Sequence, residues 1–143
     1  DFDQYIEEKE GLSISEIFKI KGEIYFRRLE AKYLDTVLKH ENAIISLGGG
    51  TPCYSNNMTK ILTTENIISI YLKASIPTLS NRLFAERAQR PLISHIKTIE
   101  ELQEFIGKHL FERNQFYAQS TISISTDGKT IDEVSKEIRK NLL

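Results

Sequence analysis

Ile44-Ile45-Ser46-Leu47-Gly48-Gly49-Gly50-Thr51-Pro52 is an apolar, β-type run that breaks into three consecutive glycines. Branched apolar residues without polar alternation predict a strand at 43–47 buried on both faces, as parallel strands of an α/β sheet are. In open parallel sheets ligands bind beyond the carboxyl ends of the strands, and glycines there let backbone N–H groups reach a ligand with no side chain intervening. A single glycine would read as a flexible turn. Three in a row, closed by Thr51-Pro52, favour a ligand-facing loop.

Upstream, Gln4 to Glu10 reads as a short helix stopped by Gly11. Asp1 and Asp3 stand just before it, two carboxylates at i and i+2. Such a pair suits Mg²⁺ and hydroxyl substrates if both face one site, and helix N-capping is the alternative. Ser13-Ile14-Ser15-Glu16 is a capping box opening a second helix through Ile17 and Phe18. A longer helix runs from Glu23 to about Lys39 and carries Phe26-Arg27-Arg28-Leu29-Glu30. Arg27 and Glu30 share a face, as a solvated ion pair would. However, Arg27 sits beside an apolar position near a helix start, where the dipole opposes a cation, so its charge is available to a ligand anion.

Downstream, a crossover helix is expected from Asn56 to Leu62 and a second buried strand over 67–72, completing a βαβ unit with the first. A helix from Ser75 or Pro77 runs into Glu86-Arg87-Ala88-Gln89-Arg90-Pro91-Leu92-Ile93. Arg82, Arg87 and Arg90 cluster here around one acid, an arrangement suited to bidentate phosphate binding. Residues 85–97 therefore read as a lid over a phosphorylated ligand, its 94–97 part a mobile loop. Thr98-Ile99-Glu100-Glu101 reads as another capping box and opens a long helix that carries Glu112-Arg113 and Phe116-Tyr117. A strand over 122–125, a turn at Asp127-Gly128 and a final helix capped by Thr130 and Glu133 close an α/β pattern.

With 143 residues, one domain is expected. Nineteen Lys and Arg against 20 Asp and Glu give a net charge of -1, so no global field draws the chain to nucleic acid or an anionic membrane, and any anion must be held by local arginines. No apolar run approaches a membrane span. Cys53 is the single cysteine, which excludes an internal disulfide framework and fits a reducing compartment. His40, His95 and His109 share no ligand spacing with one another or with Cys53, so neither a zinc site nor a catalytic triad is expected.

In this order and spacing, Asp1-Phe2-Asp3, Ser13 to Phe18, Gly22-Glu23, Phe26 to Glu30, Ser46 to Gly50, Arg90 to Ile93 and Glu112-Arg113 with Phe116-Tyr117 resemble shikimate kinase, over essentially the whole chain. The resemblance implies a three-layer α/β P-loop kinase fold, with a five-stranded parallel sheet in the order 2-3-1-4-5. Strands three, four and five would lie at 43–47, 67–72 and 121–125. It implies a cytoplasmic, monomeric transferase that phosphorylates shikimate to shikimate 3-phosphate with ATP and Mg²⁺, on the chorismate route to aromatic amino acids. It also implies residue roles. Asp3 would bind the substrate hydroxyls and accept the attacking proton, and Asp1 would reach Mg²⁺ through water. Arg27 and Arg113 would clamp the shikimate carboxylate, with Glu30 holding Arg27. Gly48, Gly49 and Gly50 would lay amides against the substrate, and Phe18 and Phe26 would wall its ring. Arg90 would neutralise charge on the transferring phosphoryl group. Arg82 or, second, Arg87 would stack on adenine, with the turn at 127–130 on the other side.

The substrate region would then span about 3–40 and the lid about 85–97. The family's Gly-rich loop ending Gly-Lys-Ser/Thr occurs nowhere in the 143 residues. The reading therefore expects an N-terminally incomplete domain, with about thirty residues of strand, loop and helix ahead of Asp1 on which activity depends. Two alternatives stand beside it: a related P-loop kinase for another hydroxy acid such as gluconate, and a non-catalytic shikimate-binding module without the P-loop.

Overall fold

Side-chain caps set where most of the helices begin. The computed structural model describes residues 1–90 and 92–143; Pro91, within the expected lid, lies outside the described residues. Two compact units result, 1–67 and 68–143.

In the first unit, α1 (Phe2–Glu10) is capped by the Asp1 side chain, which accepts from the Gln4 amide, and is ended by Gly11 at φ 69. That left-handed conformation is where glycine loses no stability. The expected box opens α2 (Ile14–Lys21): Ser13 accepts from the Glu16 amide while the Glu16 carboxylate accepts from the Ser13 amide. Next come α3 (Glu23–Val37), a single 3-10 turn at Thr51–Cys53 and α4 (Asn57–Thr63). Phe2, Ile6, Ile17, Leu29, Leu34 and Ile61 are among the buried apolar side chains. Each contributes about 1.5–3 kcal/mol relative to exposure.

The expected strand at 43–47 does not form. Among the described residues it joins no ladder, its one backbone bond out of the segment runs from the Phe2 amide to the Ser46 carbonyl (2.9 Å), and Ile44 is fully exposed. Branched apolar composition supplies β preference, but a strand exists only where another strand pairs with it. The βαβ unit expected between 43–47 and 67–72 is absent for the same reason.

The parallel pair lies in the second unit. There β1 (Ile70–Lys73) pairs with β2 (Ile122–Ser125), in the register Ile70 to Ile122 through Lys73 to Ser125. The first strand thus begins three residues later than expected. It is also only half covered: Ile68 just before it and Leu72 within it are each 52% exposed. Parallel strands require a long crossover, supplied here by α5 (Ile76–Glu86), a 3-10 turn at Arg87–Gln89 and α6 (Ile99–Tyr117). Ile93, Ile96, Leu102 and Ile106 form a buried cluster against Leu79, Leu83 and Phe105. The stretch expected as a loop is therefore a series of tight turns seated by Ile93 and Ile96, with the Ile96 amide bonded to the Ile93 carbonyl (3.0 Å). Capped by Thr130 and Glu133 as expected, α7 (Ile131–Leu142) ends the chain. Neighbouring β strands and α-helical crossovers make this an α/β fold.

Candidate active site

The glycine run touches a charged side chain at each end. A methyl group on Gly48 would stand 3.1 Å from Asp3 Oδ1 and 3.4 Å from Thr51 Oγ1. On Gly50 it would stand 2.5 Å from Arg27 Nη1. A Cβ at Gly48 would press on Asp3, and one at Gly50 would push the Arg27 guanidinium aside, so glycine here serves close approach rather than an unusual φ. The loop thereby brings together Asp3 from the first turn of α1 and Arg27 from the second turn of α3.

Asp3 is half-buried. Loss of hydration raises its pKa above the ordinary carboxylate value; the charges of Glu30 and Glu7 raise it further, and Arg27 opposes them. A carboxyl shifted upward is a better proton acceptor than an unperturbed one. The two carboxylates are placed differently: Asp1 is exposed, with Oδ1 accepting from the Gln4 amide at 3.0 Å. Two residues apart on a helical turn, their side chains point in different directions.

Arg27 is held on several sides. Its Nη1 donates to Glu30 Oε1 at 2.7 Å, and Glu30 is only 1% exposed. Its Nη2 makes a longer contact, 3.4 Å, to Glu23 Oε1 at the surface. The Tyr54 ring lies over the guanidinium, 4.1 Å from Cζ, and the Phe26 ring stands 5.4 Å away. Burial lowers the Arg27 pKa, but the Glu30 hydrogen bond and charge outweigh it and the net shift is upward. The remaining donor, Nε, is buried without a hydrogen-bond partner. Phe18 packs on Phe26 at 4.8 Å between ring centroids.

Sequence reasoning missed four residues here. Thr51 is fully buried, and its hydroxyl donates to Glu30 Oε2. Asn57, also fully buried, donates from Nδ2 to the Thr51 carbonyl at 2.8 Å. Tyr54 and Glu23 complete the surround of Arg27. The only available sequence signal was a hydroxyl residue closing the glycine run, since Thr51 and Glu30 are 21 positions apart.

In the second unit, Arg90 and Arg113 line one cavity of about 530 Å³ together with Leu83, His109 and Tyr117. Arg90 is half-exposed and paired with Glu86 at 3.1 Å. Arg113 has no ion pair among the described residues. Arg87 turns back on its own helix, donating to the Phe84 carbonyl at 2.7 Å with Cζ 3.8 Å from the Phe84 ring. Arg82 is exposed and lies near Asp127. The Asp127 carboxyl is lowered in pKa by accepting from the Ser75 amide and then the Thr78 side chain, with Arg82 adding a smaller effect. Arg82 and the 127–130 turn are thus neighbours. Among the described residues, no group of three or more His, Cys, Asp or Glu is placed to hold a metal ion, and no helix is long and apolar enough to cross a membrane.

The sequence profile of the shikimate kinase family matches residues 1–143. The shikimate kinase of Flavobacterium johnsoniae is 50% identical over 139 residues, covering 96% of this chain and 80% of that protein. That of Flavobacterium psychrophilum is 41% identical over 143 residues, covering 99% of this chain and 82% of that protein. The crystal structure of shikimate kinase from Bacteroides thetaiotaomicron superposes with a TM-score of 0.86 at 32% identity, covering 99% of this chain and 79% of that one. The relatives named are shikimate kinases, neither gluconate kinases nor non-catalytic binders. With its P-loop-kinase fold and half its residues shared along nearly its whole length with one such enzyme, the chain belongs to the shikimate kinase family, whose members transfer a phosphoryl group from ATP to shikimate.

Proposed function

We propose that residues 3–40 with the glycine loop form the shikimate-binding part of this kinase, and that residues 85–97 form its lid. The observation that carries this is the loop itself, with Asp3 against Gly48 and Arg27 against Gly50. A hydroxyl acceptor and a carboxylate clamp thus stand at the two ends of the glycine run.

Arg27 binds the substrate carboxylate. Glu30 occupies Nη1, so the edge formed by Nε and Nη2 is the one left for a bidentate contact, held only by the long contact to Glu23. Arg113 is the second guanidinium for the carboxylate. Asp3 hydrogen-bonds the substrate hydroxyls and takes the proton of the 3-hydroxyl as its oxygen attacks the γ-phosphorus, for which an upward-shifted pKa is suited. Phe18 and Phe26 exclude water along the ring, and Gly48, Gly49 and Gly50 supply amides.

Arg90 stabilises charge on the transferring phosphoryl group, and electrostatic stabilisation of that kind does most to lower the barrier in such reactions. Arg82, with the turn at 127–130, borders adenine, and Arg87 is the second candidate. Mg²⁺ bound with ATP offsets phosphate charge. It commonly keeps several waters and takes one or two carboxylates, so the Asp1 oxygen not used in capping fits a water-mediated contact. The protein works as a cytoplasmic monomer without nucleic-acid or membrane partners, in keeping with a net charge of -1.

Calorimetric titration of Arg27→Ala with shikimate tests the assignment. Binding weakened at least tenfold is expected, and unchanged affinity overturns it.

A further inference from the structure

Glu30 has two oxygens, and they go to different partners. Oε1 accepts from Arg27 Nη1, and Oε2 accepts from Thr51. The chain spends a fully buried hydroxyl on this division. A carboxylate beside a guanidinium otherwise tends to take two parallel N–H bonds, one from each of two nitrogens. Glu30 could do so by turning Oε2 towards Nη2, which would consume half of the edge that a second carboxylate needs.

We propose that Thr51 is a positioning residue that keeps Glu30 bound to Arg27 through one oxygen, so that Glu30 does not take up the Nε and Nη2 edge with which the guanidinium meets the substrate carboxylate. This rests on the reading of Arg27 as the carboxylate clamp.

Thr51 is itself fixed. Its amide bonds to the Gly48 carbonyl at 3.1 Å, and its carbonyl accepts from the buried Asn57 side chain at 2.8 Å. The backbone that carries the hydroxyl is therefore held in place beside Glu30. Gly50, immediately before it, leaves the guanidinium room to lie flat against the loop. Thr51 thereby couples the glycine loop to the orientation of Arg27, a connection between positions 21 apart in sequence.

The test compares shikimate KM, ATP KM and kcat in the enzyme for Thr51→Val, Thr51→Ala, Thr51→Ser and Arg27→Ala, with calorimetric shikimate affinity beside them. Valine and alanine, lacking the hydroxyl, should raise shikimate KM about tenfold. ATP KM and kcat should stay within about twofold of the parent, and serine should restore shikimate KM. Adding Thr51→Val to Arg27→Ala should produce no further loss of affinity, because the two act on one contact. Parental KM in both hydroxyl-free variants, a kcat that falls with KM unchanged, or a serine variant as impaired as valine overturns the proposal. If valine does not fold, alanine and serine carry the same comparison; if neither hydroxyl-free variant folds, Thr51 is a folding residue and the proposal fails. An Arg27→Ala variant with parental shikimate affinity overturns the clamp reading instead, so the two failures are separate.

Discussion

Arg27 and Arg90 carry the same charge and are held in opposite ways. Arg27 is 14% exposed and bonded to a carboxylate that is 1% exposed, under an aromatic ring. Arg90 is 53% exposed and its partner Glu86 56%, one helical turn away. A buried pair of this kind fixes geometry, and removing one member leaves the other charge unsolvated, whereas an exposed pair contributes little and is readily exchanged. Arg27 is thus built before its ligand arrives. Arg90, in the proposed lid, can leave Glu86 at small cost. A carboxylate presents the same shape before and after the reaction, while phosphoryl charge moves during it, and the roles proposed for the two arginines follow that difference.

The sharpest way to break this contrast is Arg90→Ala. It should lower kcat by about 10³-fold or more, as loss of an arginine from phosphoryl transfer does, while thermal melting of the unliganded protein stays unchanged. A drop in melting temperature would show that Arg90 is structural. Asp3→Asn should lower kcat by at least about 10²-fold yet raise the melting temperature at neutral pH. Folding raises the Asp3 pKa, so the folded chain holds this proton more tightly than the unfolded one. The stability carried by the neutral carboxyl is present below the ordinary carboxylate pKa and is lost as pH rises through the raised folded value. Melting curves across that window should therefore fall with pH in the parent more than in the variant.

Gly50→Ala addresses the rigid side. The added methyl meets the guanidinium, which must turn away from the loop, so shikimate KM should rise about tenfold. Little stability should be lost, because what moves is the end of a side chain. Steady-state kinetics with a melting curve separates the two effects. Smallest of all, Glu86→Ala should change stability by less than about 1 kcal/mol by chemical denaturation. A larger loss would show that the lid arginine is bound to its partner as firmly as Arg27 is to Glu30.

Sequence reasoning found what local chemistry determines. Ser13 with Glu16 and Thr130 with Glu133 form the capping boxes expected of them, because each bond spans three residues. Thr98 caps α6 through the Glu101 amide, but the Glu101 carboxylate accepts from Lys97 instead of completing a box. Arg27 with Glu30 was legible as a pair, and the glycine run as a stretch that lets side chains approach the backbone closely. What supports them was not legible. Thr51, Tyr54 and Asn57 act through contacts made by tertiary packing, and nothing in their spacing along the chain marks them. The strand expected at 43–47 failed for a related reason: composition states a preference, and only a partner makes a strand.

The pairing of β1 with β2 bears on how the second unit is made. Just ahead of the strands, Ser69 and Thr121 meet across 52 residues. Closing so long a loop costs entropy that the contacts between α5 and α6 do not. The helices therefore assemble first, and the Asp127–Thr130 turn, which follows β2, takes its place last. Synthesis from the amino terminus reinforces that order. The turn that closes the unit is then its final piece of maturation, formed only once β1 and β2 have paired.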